Sequence, residues 1–436
     1  MANPAFTVTN VTVTPILIQD APLLNLQGVH QPYTPRVVVR VETQGGEYGV
    51  GETYGDTEII EYLNLFATQL KGLTVDQSQT LWQVAEKVLT PHAIHAIDPG
   101  LVSGKLSRQV TGDNTLAKVH NTAVSVFEVA FLDALGKLTG LPVHTFLGGK
   151  SRNKVEFAAY LFWKFGAHTG ASDPRDNWGE AVDETGIVRQ AELFVERYGF
   201  KSIKLKGGYH DPDTEAAAIK AIKKRFPNHP VRLDPNGIWS VETGIRIARD
   251  LDGVVEYLED PTMGRQGMAA VHNTTGVKLA TNMCVTSMDQ IPEAVSLGST
   301  QVVLCDHHYW GGLRATQHLS RICHAFGMGM SMHSNTHLGV SLAAMLHAAG
   351  AAEGDLHACD THRPWQTEDI ITEPHRFIEG ALTVPDAPGL GVEIDETALK
   401  ALHERWLDMP EMRIRDDVAA MRAFVPNWEK PQAPRW

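Results

Sequence analysis

At 436 residues, with 43% hydrophobic and 20% charged side chains, the chain has the composition of a globular protein of two or three domains, and no segment reads as disordered or low-complexity. A formal net charge of −13 argues against a nucleic-acid partner, which would need a basic face. It leaves room for one pocket made locally positive by a few lysines, an arginine or a metal ion.

The amino terminus, Met1-Ala-Asn-Pro-Ala-Phe-Thr, lacks the charged start and apolar core of a signal peptide. Phe6–Val13 alternates as a strand does, and Arg36–Val41 is a second strand candidate. Between them Asn25–Arg36, with its Gly and Pro content, reads as a loop. Helical periodicity dominates residues 57–140 and ends in Val124–Leu138 before the Gly140-Leu-Pro break. Residues 1–140 are therefore expected to form a small α+β unit. No run approaches ~18 apolar residues, so no membrane span is expected. Cys284, Cys305, Cys323 and Cys359 form no CxxC pair and read as reduced thiols of a cytoplasmic protein.

From about residue 155 short apolar runs alternate with amphipathic stretches. The expected strands are Val155–Phe162, Lys201–Lys206, Val231–Asp234, Val255–Glu259, Val277–Thr281, Gln301–Asp306 and Met328–Met332. Helices are expected over Thr214–Phe226, Val241–Leu251, Asp289–Leu297 and Leu313–Phe326. This repeated βα alternation predicts an α/β barrel of parallel strands over residues 141–385. An open doubly wound sheet competes with it, but no GxGxxG or GxxxxGK[ST] loop follows an early strand. A helical run near Ala398–Trp406 lies in the third segment, 386–436.

The strand tips carry the chemistry. Lys204 and Lys206 lie two apart and share one face at the end of Ser202-Ile-Lys-Leu-Lys-Gly-Gly, a position where barrel enzymes keep their active sites. Two unpaired ammonium groups do not survive in a packed interior, so a solvated edge strand is the competing reading. The next three strands end in Asp234 (before Pro-Asn236-Gly), in Glu259-Asp260-Pro, and in Ala-Thr-Asn282. Such a series of oxygen donors suits a hard cation such as Mg²⁺, although each tip alone is equally an Asx turn. The last two end in Cys305-Asp306-His307-His308 and Met332-His333-Ser334-Asn335. If those tips are neighbours, Asp306 can orient the ring of His333 and raise its basicity. The His333/His337 spacing resembles that of zinc proteases but lacks their glutamate.

Taken together, Lys-x-Lys, Asp-Pro-Asn, Glu-Asp-Pro, Ala-Thr-Asn, Asp-His-His and His-Ser-Asn resemble the glucarate dehydratase branch of the enolase superfamily, nearly end to end. Leu24–His30, Tyr160-Leu-Phe-Trp, Asp360-Thr-His362, Gly389–Asp395 and Arg415-Asp-Asp join the resemblance. It implies a (β/α)₇β barrel, TIM-like, under an α+β capping domain to which the carboxy-terminal segment returns, and a homo-oligomer. It implies Mg²⁺ held by Asp234, Glu259 and Asn282, with Asp260 in reserve for Glu259. Lys206 is then one base, Lys204 contacts the substrate carboxylate, and His333 with Asp306 stands opposite. His30, Tyr160, Asn236, Asn335, His362 and Arg415 are the implied substrate contacts, with the loop around His30 closing over the mouth. Arg265 stands where family members carry an acid, which leaves open a change in metal ligation or, as an alternative, a grip on the distal carboxylate of the substrate. The family's cap-domain threonine contact finds no match within Leu101–Lys118.

The reaction implied is removal of the proton α to a carboxylate and loss of the β-hydroxyl, giving a keto-deoxy acid from an acid sugar. A different acid-sugar dehydratase or a racemase or epimerase of the same superfamily, a metal-dependent hydrolase on the same barrel and a silent acid-sugar-binding paralogue are the alternatives. The hydrolase lacks its usual His-x-His pair, which occurs nowhere in the chain.

Overall fold

The computed structural model describes residues 3–55, 57–88 and 116–436. The β-branched stretches at the amino terminus form an antiparallel sheet from β1 (Val8–Gln19), β4 (Tyr33–Thr43) and β5 (Tyr48–Tyr54), in the order β1-β4-β5. Pro15, which has no amide proton for a ladder, sits on the edge strand β1. Alternation on β4 sorts its valines: Val37, Val39 and Val41 pack with Leu63, Phe66 and Phe127 of the helices, while Val38 joins the main core. Those helices are Thr57–Ala67 and Leu116–Thr139. The stretch read as a loop contains a hairpin, β2 (Leu23–Asn25) with β3 (Gly28–Val29), that pairs onto the barrel.

After β6 (Lys154–Glu156), the chain lays down β7 (Ala158–Lys164), β8 (Ser202–Lys206), β9 (Val231–Asp234), β10 (Tyr257–Glu259), β11 (Leu279–Thr281), β12 (Val302–Cys305) and β13 (Gly329–Met332). Each pairs in parallel with the next, in chain order. Residues 355–360 close the ring. On one side Met330 N–H donates to the Asp355 carbonyl (2.9 Å) and Asp360 N–H to that of Met332 (2.8 Å). On the other, Cys359 N–H donates to Glu156 and Ala158 N–H to Cys359, both at 2.8 Å. This segment is the eighth strand of a (β/α)₇β barrel, and it was missing from the expected set.

Helices follow the strands where periodicity placed them, and their starts are capped as side-chain chemistry dictates. Asp211 caps Pro212–Arg225 and Ser240 caps Val241–Asp250. The expected helix from Asp289 divides into a 3₁₀ turn, Met288–Gln290, and an α-helix, Ile291–Leu297, whose first turn accommodates Pro292. β14 (Ala381–Thr383) pairs with β6, and the helix Glu396–Asp408 returns to β1, where His403 and Arg405 bond the carbonyls of Pro15 (2.7 Å) and Leu17 (3.1 Å). No helix among the described residues is long and apolar enough to cross a membrane.

Candidate active site

Parallel register sets the lysines beside the acids, since Lys206 pairs with Asp234 across β8 and β9. Lys206 Nζ donates to Asp234 Oδ2 (2.7 Å) and to Asn236 Oδ1 (2.9 Å). Lys204 Nζ donates to Asp360 Oδ2 at 2.7 Å, lies 2.6 Å from Glu259 Oε2 and 3.6 Å from Asp234 Oδ2, and stands over the Tyr160 ring. Three buried carboxylates therefore share two ammonium groups. Burial would strip Lys204 of its proton, but Asp360 and Glu259 hold its pKa well above the usual range. The Glu259 carboxyl is pushed well up by burial and by the charge of Asp234.

Glu259 Oε1, Asp360 Oδ1 and Asn282 Oδ1 are shut away from solvent without a hydrogen-bond partner. Buried oxygens short of positive charge are what a hard divalent cation satisfies, so the donor set Asp234, Glu259 and Asn282 fits Mg²⁺. Asp260 is engaged elsewhere: its oxygens accept from the Thr281 hydroxyl (2.5 Å) and the Asn282 amide (2.8 Å), and burial pushes its carboxyl up to about 6. Asn236 and Asp260 adopt positive φ, 62° and 42°, so backbone strain is stored at these two strand tips.

The histidine side is built differently. His333 Nδ1 lies 3.3 Å from Asp306 Oδ2, which also accepts from Tyr54 Oη at 3.0 Å. Asp306 Oδ1 accepts from the backbone amide (3.0 Å) and Nδ1 (2.7 Å) of His308. Burial would raise the Asp306 pKa, but His308, His333 and His337 hold it well below the carboxylate range. Asp306, His307 and His308 bring ligand atoms within 4.8 Å of one another, yet both Asp306 oxygens and both His308 nitrogens are already bonded, leaving that cluster no metal-ready set.

Between these two sides a cleft, open to solvent, is lined by Lys206, His333, His30, Tyr160, Asn236, Asn335, His362 and Arg415. β8 and β13 are not adjacent: the eighth strand and β7 separate them. The hairpin carries His30 over the mouth, its Nδ1 on Asp20 (3.1 Å) and its ring edge on Phe162. Arg415 arrives from the carboxy-terminal segment paired with Asp417 at 3.0 Å. Gln31 ties the two together: its amide N–H donates to Asp417 and its Oε1 accepts from the Asp416 amide. Gly28 permits the close approach, because a Cβ there would sit 2.6 Å from the Asp417 carbonyl, at φ +118°.

Two residues lie outside the cleft lining. Lys204 does not line the cleft: it is fully buried, drawn inward by Asp360 and Glu259. Arg265 is outside the lining as well, held by Glu293 (2.6 Å) and the Cys284 carbonyl (3.0 Å). Six participants were missed, among them Ser334 and Asp417, which flank predicted residues in the lining. Phe162 shares a face with Tyr160 two residues away, a legible spacing. Asp360 ends a strand too short and polar to register, and Asn25 and Gln27 lie in the stretch taken for a loop. The segment expected to carry a threonine contact, Leu101–Lys118, falls outside the residues whose side chains the structure describes.

Comparison with known proteins bears on this geometry. The family described as "Enolase C-terminal domain-like" matches residues 186–398. A Streptomyces coelicolor protein named "Probable glucarate dehydratase" is 54% identical over 433 residues, 99% of each chain. The crystal structure of an enolase from Thermobispora bispora, complexed with magnesium and formate, aligns at TM-score 0.91 with 45% identity, covering 99% of this chain and 100% of that one. An enolase from Pseudomonas fluorescens with bound magnesium, potassium and tartrate aligns at TM-score 0.90 with 43% identity over 99% of each chain. The chain belongs to the enolase superfamily. Within it, the full-length match sets it beside the glucarate dehydratase-like members.

Proposed function

We propose that the protein is a magnesium-dependent dehydratase of acid sugars, aldarates such as glucarate, which yields a keto-deoxy acid. The observation that carries this reading is the placement of Lys206 and His333 in one cleft, on non-adjacent strands, beside buried oxygens short of positive charge. Relatives that are named for glucarate, or that hold magnesium and tartrate, support it.

Asp234, Glu259 and Asn282 hold the Mg²⁺ in this reading, and the ion supplies several kcal/mol of stabilisation where negative charge develops on the substrate. Lys206, positioned by Asp234 and Asn236, takes the α-proton in its neutral form. The electron pair left on the α-carbon forms the new C=C bond as the β C–O bond breaks. His333, in its charged form and steadied by Asp306, gives its proton to the departing hydroxide, so water leaves and the enol becomes the ketone. His30, Tyr160, Asn335 and His362 meet the sugar hydroxyls, and Arg415 meets the distal carboxylate. Burial and the nearby His30 hold the His362 pKa well below its usual range, which keeps that ring a neutral hydrogen-bonding group. Lys204 holds the carboxylate cluster together. Proton-transfer groups on two separated strands also make epimerisation at the α-carbon a companion reaction.

In the same reading residues 1–140 and 386–436 build the cap, 141–385 the barrel, and the enzyme works as a homo-oligomer. Its four cysteines are free and buried, in keeping with a reducing cytoplasm. The test is a panel of mono- and dicarboxylate sugars incubated with the protein and Mg²⁺ and assayed for keto acids. Product from six-carbon aldarates that chelation abolishes is expected. No keto acid from any member would refute the dehydratase.

A further inference from the structure

The dyad of Asp306 and His333 belongs to the barrel, but the cap strand β5 holds it in place. Tyr54, near the end of β5, is 1% exposed and reaches Asp306 Oδ2 at 3.0 Å, the same oxygen that His333 Nδ1 meets at 3.3 Å. The other oxygen is governed from the same strand: His308 Nδ1 donates to Oδ1 at 2.7 Å, while its Nε2 lies 3.0 Å from the Glu52 carbonyl. Tyr54 does not line the cleft. Its ring is fixed by stacking on Tyr309 (centroids 5.2 Å apart) and by Arg36, whose guanidinium stands 4.9 Å from the ring centroid.

We propose that Tyr54 is a positioning residue for proton transfer, donating to the Asp306 oxygen that holds His333 and so fixing the carboxylate's rotation and limiting how strongly it stabilises the imidazolium. The inference rests on the reading that His333 moves a proton. Two donors on one carboxylate oxygen divide its charge. Without the phenol, His333 is the one donor left within hydrogen-bond distance of Oδ2, with His337 at 3.6 Å, and the imidazolium keeps its proton to higher pH. The carboxylate also becomes freer to turn, so fewer imidazole orientations are productive.

The other charged or titratable neighbours keep their places in Tyr54→Phe. Arg36 and Glu52 remain on the cap sheet, His307 and His308 follow Asp306, and His337 stays 3.6 Å from Oδ2. Asp234 faces His333 from across the cleft. The substitution removes one oxygen, with its hydrogen bond to Asp306 and its side-chain contact with the Tyr309 hydroxyl, the remaining titratable neighbour.

The experiment is the pH dependence of kcat and KM for the Mg²⁺-loaded enzyme on the aldarate it dehydrates best, comparing wild type with Tyr54→Phe. The control is Tyr62→Phe, which removes a buried cap-domain hydroxyl without a partner. We expect kcat to fall about tenfold in Tyr54→Phe with KM unchanged, and the His333 limb to move up by about half a pH unit. The His333 ring ¹⁵N resonance, identified by its loss in His333→Asn, should titrate with the same shift. Tyr62→Phe should superpose on wild type. Identical profiles for Tyr54→Phe and wild type, or a loss of kcat without a shift in either measurement, would overturn the proposal. An inactive wild type, or an active His333→Asn, would instead bring down the proposed function, and this inference with it.

Discussion

The two sides of the cleft solve opposite problems. On the carboxylate side, three acids crowd around two lysines and several oxygens have no partner. On the histidine side every Asp306 oxygen is bonded, and two of its donors, Tyr54 and His308, are anchored on the cap. In the proposed reading a cation completes the first arrangement, whereas the Asp306 carboxylate of the second is satisfied by the protein's own donors. The lesson concerns preorganisation: one half of the site is tuned by what binds to it, the other by a strand brought from a different part of the chain.

The largest effect should come from removing either proton-transfer group. Lys206→Ala and His333→Asn should each lower kcat about 10³-fold in the keto-acid assay while Mg²⁺ binding persists. A variant that kept more than a tenth of the wild-type rate would deny its side a chemical role. Next in size is the dependence on the ion. Mg²⁺ at 100 times its Kd should stabilise the wild type by about 2.7 kcal/mol, seen as a rise in melting temperature. Glu259→Gln should lose that rise, while Asp306→Asn should keep it. Equal responses from the two variants would erase the distinction between the sides.

A smaller, pH-linked effect follows from histidines buried in neutral form. Burial is the main cause that lowers His337 to about 4, and burial also holds His307 and His362 well below the usual value. Between the folded and unfolded pKa values the unfolded chain binds more protons. Stability is therefore full above about pH 6.5 and falls as pH drops towards 4, by up to about 1.4 kcal/mol per pH unit for each such group. Urea midpoints at pH 7.5 and 5 should show that fall, and a flat profile would contradict the buried neutral rings. The smallest effect is expected at Arg265. Arg265→Gln should leave kcat and KM within about twofold, because Glu293 holds that side chain away from the cleft. A large rise in KM would return it to substrate recognition.

Much of the site was legible because β geometry is local. A strand that ends in Asp, Glu or Asn before a turn announces itself within a few residues, as at Asp234, Glu259 and Asn282. Parallel register then brings successive tips together without further information. What could not be read is carried by long-range contacts. Tyr54 meets Asp306 across 252 positions, and Gln31 meets Asp417 across 386, with nothing in either neighbourhood to announce the partner. The eighth strand escaped because Leu356-His-Ala-Cys-Asp360 is short and polar, and its pairing comes from the barrel's closure. The hairpin at 23–29 escaped because Gly28, taken as a loop signal, serves a close backbone approach. Arg265 shows the converse: its position in the chain left its role open, and an acid on the following helix holds it outside the cleft lining.

The most direct test of the two-sided cleft is proton NMR of glucarate incubated in D₂O with the Mg²⁺-loaded protein. The account expects conversion to a keto-deoxy acid, abolished by EDTA, with solvent deuterium entering at the α-carbon of substrate recovered early in the reaction. A folded, Mg²⁺-binding protein that neither exchanges that proton nor forms the keto acid would contradict it.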